Sequence, residues 1–181
     1  MSIWWSLHLR REAASVPLAR RFLLGTMESA GVDPDISFDL SLALSEACAN
    51  AVEHGGAHRD ADGGAEGRDG WEEPSATACG QYRVTAYLDG EMCRIEVADS
   101  GPGFPARRAR ARDAASRGGG PSCGAQCADH ASLTAEDGRG LCLIEQLADH
   151  VHFGNRPGHG GAVVSFDKVL KWREGALLMV S

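Results

Sequence analysis

Two runs of alternating side chains, Tyr82–Leu88 and Met92–Ala98, flank an Asp89-Gly90 pair. A period of two sends successive side chains to opposite faces of a strand. An Asp-Gly pair between such runs is a strong short-range hairpin signal. The middle of the chain is thus bound to an antiparallel strand pair with one apolar face. In the second run Cys93, Ile95 and Val97 share that face, and the same parity carries on to Asp99. A carboxylate on the buried side of a sheet is costly unless something bonds it. Asp99 is therefore the first residue that asks for a function.

The elements around the hairpin follow from periodicity and punctuation. Ile3–Leu9 reads as a strand, with Ile3, Trp5, Leu7 and Leu9 on one face. A helix is expected over Ser15–Ala30, capped by Ser15, with Pro17 in its first turn and Gly31 at its end. Leu18, Phe22 and Met27 are the expected apolar stripe of that helix. A second helix is expected from Asp33-Pro34 to His54, because Leu40, Leu44, Ala47, Cys48 and Ala51 recur at helical spacing and Gly55-Gly56 stops the run. A third spans Arg139–His150, with Leu141, Ile144 and Leu147 apolar. Val151–Phe153 and Ala162–Phe166 read as the last strands, and Lys168–Ser181 as a short helix. This order predicts an α/β two-layer sandwich: a mixed, mostly antiparallel sheet with helices on one face. With 181 residues, a single domain is expected over 1–181.

Two stretches interrupt the pattern. Six glycines fall within 55–70, among Asp60, Asp62, Glu66, Asp69, Glu72 and Glu73, which predicts a mobile acidic insert over about 56–80. Residues 105–137 read as a loop, basic at first (Arg107, Arg108, Arg110, Arg112, Arg117) and glycine-rich at 118–120. Its arginines are expected to solubilise it, to dock an acidic partner or to reach a bound phosphate.

Charge and apolar content exclude some classes. A net charge of −7 disfavours direct nucleic-acid binding. No apolar run approaches the roughly 20 residues that span a bilayer, and Met1–His8 carries no basic leader. The expectation is a soluble cytoplasmic protein without membrane contact. The six cysteines contain no CxxC pair, so Cys48, Cys93 and Cys142 are expected to pack as small hydrophobes. Cys123, Cys127 and His130 have poor spacing for zinc. Adjacent Trp4 and Trp5 predict one core ring and one at an interface, such as a homodimer edge.

Three clusters carry chemistry. Glu46, Asn50 and His54 are spaced i, i+4, i+8 and form one polar stripe on a helix. The amide can offer a neutral oxygen to a hard cation, and the carboxylate can take a proton from a nucleophile. Asp99-Ser100-Gly101-Pro102-Gly103 places an acid before a turn whose glycines admit close approach of a ligand. Such an acid can accept a hydrogen bond from an exocyclic amine, choosing adenine over guanine. Gly138-Arg139-Gly140-Leu141 reads as a loop opening into a helix, where free N–H groups favour phosphate. Each cluster alone also describes an ordinary solvated face, turn or junction.

In this order the three clusters resemble the ATP-binding domain of the GHKL superfamily, with its Bergerat-type fold, as in gyrase, Hsp90, sensor histidine kinases and MutL. Ala19-Arg20-Arg21-Phe22 and Leu42–Ala47 look like the branch of anti-sigma-factor serine kinases (RsbW-like). The resemblance covers about residues 3–168. It implies ATP and Mg²⁺ as cofactors, Glu46 as the catalytic acid that polarises an attacking hydroxyl, and Asn50 as the magnesium ligand. It implies Asp99 as the adenine reader, Gly101 and Gly103 as the turn beneath the base, and Gly138, Arg139, Gly140 and Leu141 at the phosphates. His54 fits a position expected to pack or bond locally. The 105–137 loop would be the ATP lid. The implied partners are a sigma factor and a STAS-type anti-sigma-factor antagonist that receives the γ-phosphoryl group on Ser or Thr. The alternative is a nucleotide-dependent binding module with little or no transfer. Ala162 stands where the family often has Thr, and the lid is long and Arg-rich for that branch.

Overall fold

The central hairpin forms as its alternation requires, and the other strands build outward from it. A computed structural model describes residues 2–56, 80–104, 135–156 and 161–176. The order is β1 (Ile3–Arg10), α1 (Ser15–Ala30), α2 (Pro34–His54), β2 (Gln81–Leu88), β3 (Met92–Ala98), α3 (Ala135–Leu147), β4 (His150–Asn155) and β5 (Ala162–Val169). Residues 57–79 and 105–134, with most of the acidic insert and the basic loop, lie outside the described residues, as do Cys123, Cys127 and His130.

The strands form one sheet in the order β1-β2-β3-β5-β4. Every described pairing in it is antiparallel, so no parallel pair accompanies the expected antiparallel ones. One face is apolar and buried, with Val84, Ala86, Ile95, Val97, Val164 and Phe166 among its residues. The opposite parity is polar: Ser6, Thr85, Glu96, Ser165 and His152 stand in one register row across all five strands. The apolar face and the helices bury each other, α2 lying on β3 and β5 and flanked by α1 and α3. This is the expected α/β sandwich. No helix among the described residues is long and apolar enough to cross a membrane.

The helix ends follow their signals. Gly31 closes α1 at φ 87°, its N–H bonded to the Met27 and Glu28 carbonyls. Asp33 caps α2 by accepting the Asp35 N–H, with Pro34 in the first turn. The buried face of α1 differs from expectation. Ala19, Leu23, Met27 and Ala30 are buried, while Leu18 and Phe22 are 55% and 45% exposed. Small residues at 19 and 30 let α1 approach α2, and Phe22 instead meets Trp5 edge to face at the border of β1, 4.9 Å between centroids. Ser15 does not cap α1. The N-cap is Ala14, and the buried Ser15 hydroxyl donates to the Glu12 carbonyl and shares a hydrogen bond with the Tyr82 phenol, both at 2.7 Å.

Two further expectations are corrected. The hairpin turns on Gly90-Glu91, because Asp89 pairs with Met92 and its Oδ1 accepts the Glu91 and Met92 N–H groups. The segment after β5 is not helical as far as Ala176. It bridges Val32 through Trp172 and returns hydrogen bonds to Gly31 and Asp33, so backbone partners in the α1–α2 link hold it extended.

Burial pushes the Cys48 thiol up to about 12 against a Tyr82 hydrogen bond that lowers it, and burial with the Asp89 and Asp167 charges pushes Cys93 up to about 12. In the unfolded chain both ionise near 9. Between these values the native state holds more protons, so stability is complete below pH 9 and falls as pH rises. Urea unfolding should show a loss of about 1.4 kcal/mol per pH unit per thiol above pH 9. Cys48→Ser with Cys93→Ala should flatten that slope between pH 9 and 10, above which the buried Tyr82 phenol, also pushed up by burial, adds its own.

Candidate functional site

The phase of α2 is set by what it buries. Leu40, Leu44, Ala47, Cys48 and Ala51 face the core, which leaves Glu46 and Asn50 at the boundary and His54 outside. A rise of 1.5 Å per residue separates successive members of the stripe by about 6 Å along the axis. His54 is half exposed, its Nε2 3.8 Å from Glu53 Oε2.

α3 meets this stripe at Gly140. A Cβ there would lie 2.7 Å from Glu46 Oε2 and 3.8 Å from both end atoms of the Asn50 amide. Glycine thus lets the helix come against the carboxylate, while Leu141 and Ile144 anchor it in the core. The helix begins earlier than the sequence suggests, at Ala135 rather than at Arg139. Gly138, Arg139 and Gly140 therefore lie inside its first two turns. Only the first four N–H groups of an α-helix lack an intrahelical acceptor, so Gly138 closes that set and Gly140 lies beyond it. Arg139 is exposed. Lys168 fixes the other end of α3: its Nζ donates to the Leu147 carbonyl at 2.5 Å and sits 3.1 Å from Asp39 Oδ2 on α2.

The last turn of α2 runs into the Asp99 turn. Cβ atoms built on Gly55 and Gly101 would stand 2.9 Å from Asp99 Cβ and 2.6 Å from the His54 carbonyl oxygen. Asp99 is 7% exposed. Its Oδ1 accepts the Gly101 and Ala162 N–H groups, both at 2.9 Å, and its own N–H donates to the Ala162 carbonyl at 3.0 Å. Oδ2 accepts no hydrogen bond from the described residues. Gly161, at φ 98°, passes so close that a Cβ would overlap the Asp99 carbonyl.

Asn50 carries an unmet need. Its Nδ2 is buried without a partner among the described residues, a state that costs about 1–3 kcal/mol. Turning the carboxamide over presents its oxygen at the same place, beside Glu46. The described residues hold no cluster of three or more His, Cys, Asp or Glu side chains suited to a metal. A cation here would draw its remaining ligands from water and ligand oxygens, as Mg²⁺ does with phosphates. The residues present fit such an ion.

The structure thus joins Glu46, Asn50 and Gly140 in one cluster, and Asp99 and Gly101 in another at the end of the same helix. Gly103 lies beyond, at φ 80°, against Asn155. Sequence reasoning missed Asn155, Lys168 and Arg11. The Arg11 guanidinium donates twice to the Val52 carbonyl, at 3.2 and 3.0 Å, and closes the last turn of α2. All three act on backbone carbonyls or amides distant in sequence, which leaves no local pattern.

The pattern of the Histidine kinase-like ATPase domain matches residues 9–168. The chain belongs to that family. The fold of this ATPase domain is shared with the RsbU and RsbW domains of Rv1364c from Mycobacterium tuberculosis, at TM-score 0.51 and 18% identity. That match covers 92% of this chain and 33% of the other, so the chain spans about a third of the neighbour's length. The SiaB–SiaC complex from Pseudomonas aeruginosa matches at TM-score 0.49 and 11% identity over 91% of this chain and 89% of that one. The mycobacterial sensor histidine kinase MprB matches at 0.43 and 14%, over 92% of this chain and 100% of that one. No curated protein matches the chain at a significant level.

The glycines of the ATPase domain differ in what a methyl would strike. At Gly55 and Gly101 it meets backbone, whereas at Gly140 it meets the mobile end of Glu46. Gly101→Ala should lose about 1–3 kcal/mol in urea unfolding. Gly140→Ala should be neutral or gain up to about 1 kcal/mol of helix propensity while displacing the carboxylate.

Proposed function

We propose that this ATPase domain is an ATP-dependent anti-sigma-factor regulator of the RsbW-like kind. It would pass the γ-phosphoryl group of ATP to a Ser or Thr of a STAS-type antagonist, and sequester a sigma factor when the antagonist is phosphorylated. The observation that carries this reading is Asp99: a buried carboxylate with one oxygen fixed by two N–H groups and the other open to a donor. The exocyclic amine of adenine is such a donor, and the guanine edge offers a carbonyl there instead. The sequence resemblance to anti-sigma-factor kinases supports the choice of branch, and a cytoplasmic location and a single domain over 1–181 are part of the same proposal.

Further along α2, Asn50 would hold Mg²⁺ through its amide oxygen. When bound, that ion neutralises charge on the triphosphate. Glu46 lies beside Asn50 and would take the proton of the attacking hydroxyl. The acceptor oxygen bonds to the γ-phosphorus as the bond to the β-phosphate oxygen breaks, and ADP leaves. Gly138, Arg139 and Gly140 form the stretch of α3 that would lie along the phosphates, while Leu141, expected there from the resemblance, is buried and anchors the helix in the core; Gly101 and Gly103 would lie under the base. Most of the work is positioning and charge neutralisation.

A second reading is a binding module with little or no transfer. Ala162 favours it, because a methyl group stands next to Asp99 where the family often carries a hydroxyl.

Calorimetric titration should show ATP and ADP binding, GTP failing to bind and Asp99→Asn abolishing binding; equal affinity for GTP removes Asp99 from base recognition. With labelled ATP and a STAS-type antagonist, label should reach a partner Ser or Thr and vanish in Glu46→Gln. Tight nucleotide binding with no transfer to any antagonist selects the module.

A homodimer is part of the same proposal. Trp4 is 67% exposed on edge strand β1, and its cross-strand neighbour Tyr87 is 40% exposed. Such aromatic pairs are typical interface anchors. Light scattering should give twice the chain mass, reduced to one by Trp4→Ala; an unchanged mass places the interface elsewhere.

A further inference from the structure

The turn after Asp99 is held at its far end by a side chain from another strand. Asn155 is the last residue of β4. Its Oδ1 accepts the Phe104 N–H at 2.6 Å, and its Nδ2 donates to the Phe104 carbonyl at 2.7 Å. A carboxamide carries the same donor and acceptor as a peptide unit, so Asn155 serves Phe104 as a neighbouring strand would. Phe153, two residues earlier on the same face of β4, meets the Phe104 ring edge to face at 5.8 Å. Gly103 sits between at φ 80°, and a Cβ there would stand 2.7 Å from Asn155 Oδ1. Glycine is thus required by both conformation and space.

The cross-strand partner of Asn155 is Ala162. Ala162 bonds the near end of the same turn through both its N–H and its carbonyl, to Asp99 Oδ1 and Asp99 N–H. One β4–β5 residue pair therefore grips residues 99 and 104 together. Between the grips Asp99 Oδ1 also takes the Gly101 N–H, so the direction of Oδ2 depends on the path of the whole turn.

We infer that Asn155 is a positioning residue for base recognition, holding Gly103–Phe104 so that Asp99 presents Oδ2 to the amine of adenine. The inference rests on the reading of Asp99 as the adenine acceptor. It gives Asn155 no contact with the nucleotide.

The test compares ADP with purine-riboside 5′-diphosphate, which lacks the exocyclic amine, by competition against a fluorescent adenine nucleotide. In the wild type ADP should bind about tenfold or more tightly than the analogue, the value of one hydrogen bond to a charged acceptor. In Asn155→Leu, which removes both bonds at similar size, ADP should weaken and the ratio should fall towards one. Asn155→Asp keeps the acceptor for Phe104 N–H and loses the donor, so its ratio should lie between. It carries the test alone if Asn155→Leu does not fold. A merely structural role weakens both ligands equally, and an unchanged ratio in a folded variant overturns the inference. A wild-type ratio near one overturns the reading of Asp99 itself and the inference with it, which the wild type reveals before any variant is made.

Discussion

A carboxylate shut away from water must be bonded or it destabilises the fold, and the Asp99 end of β3 is built around that demand. Two backbone N–H groups, from Gly101 and Ala162, converge on one oxygen. Charge-assisted bonds of this kind are about twice as strong as neutral ones, and they tie the end of β3, the following turn and the start of β5 into one unit. The end of α2 then closes over them. Gly55, Gly101 and Gly161 all lack room for a Cβ, and in each case the obstruction includes backbone. Main chain thus packs on main chain around a single acid, and the geometry is stiff because nothing at the contact has a rotamer to change.

α2 links this unit to the second cluster, and its rotation decides whether Glu46 and Asn50 face α3. That rotation is fixed from behind. Cys48 hydrogen-bonds Tyr82, whose phenol bonds Ser15, so α2, β2 and α1 are joined by a buried polar chain directly beneath the stripe. From the side, Lys168 joins the end of α3 to Asp39 near the start of α2. The meeting of Gly140 with Glu46 and Asn50 is therefore determined by five residues that take no part in it. A buried amide left without a partner persists only where the surrounding packing over-determines it, and among the described residues the Asn50 Nδ2 is in that position.

Much of this was legible in the sequence because it is written at short range. The hairpin, the limits of α1 and α2, and the register that turns Asp99 inward all follow from periods of two and 3.6 and from Gly31, Asp33-Pro34 and Gly55. Asp99 stands out by strand parity, whereas Glu46 and Asn50 stand out only through the resemblance carried by the three clusters in order. The misreadings arose where distant contacts outweigh local preference. Ser15 is a good cap by type, yet Tyr82, 67 residues away, takes its hydroxyl. Leu18 and Phe22 are more apolar than Ala19, but helix–helix approach favours the smaller residue. Gly138 and Gly140 look like a helix start, yet both lie inside the helix, and at Gly140 the missing side chain leaves the space that Glu46 fills. Asn155 left no sign, since its role is to bond the backbone of a residue 51 positions earlier.

The same geometry sets Ala162 beside Asp99. What Ala162 gives to Asp99 is its N–H and its carbonyl, and any residue but proline supplies both. Replacing a family threonine with alanine therefore leaves the support of Asp99, the acid proposed to read the base, intact. What is removed is one hydroxyl on the side chain. That hydroxyl would stand beside Asp99, away from the Glu46–Asn50 cluster, so its loss bears on how a nucleotide would be held and reaches transfer only through that. The two functional readings thus share one nucleotide site, and they part only where chemistry at the γ-phosphate begins.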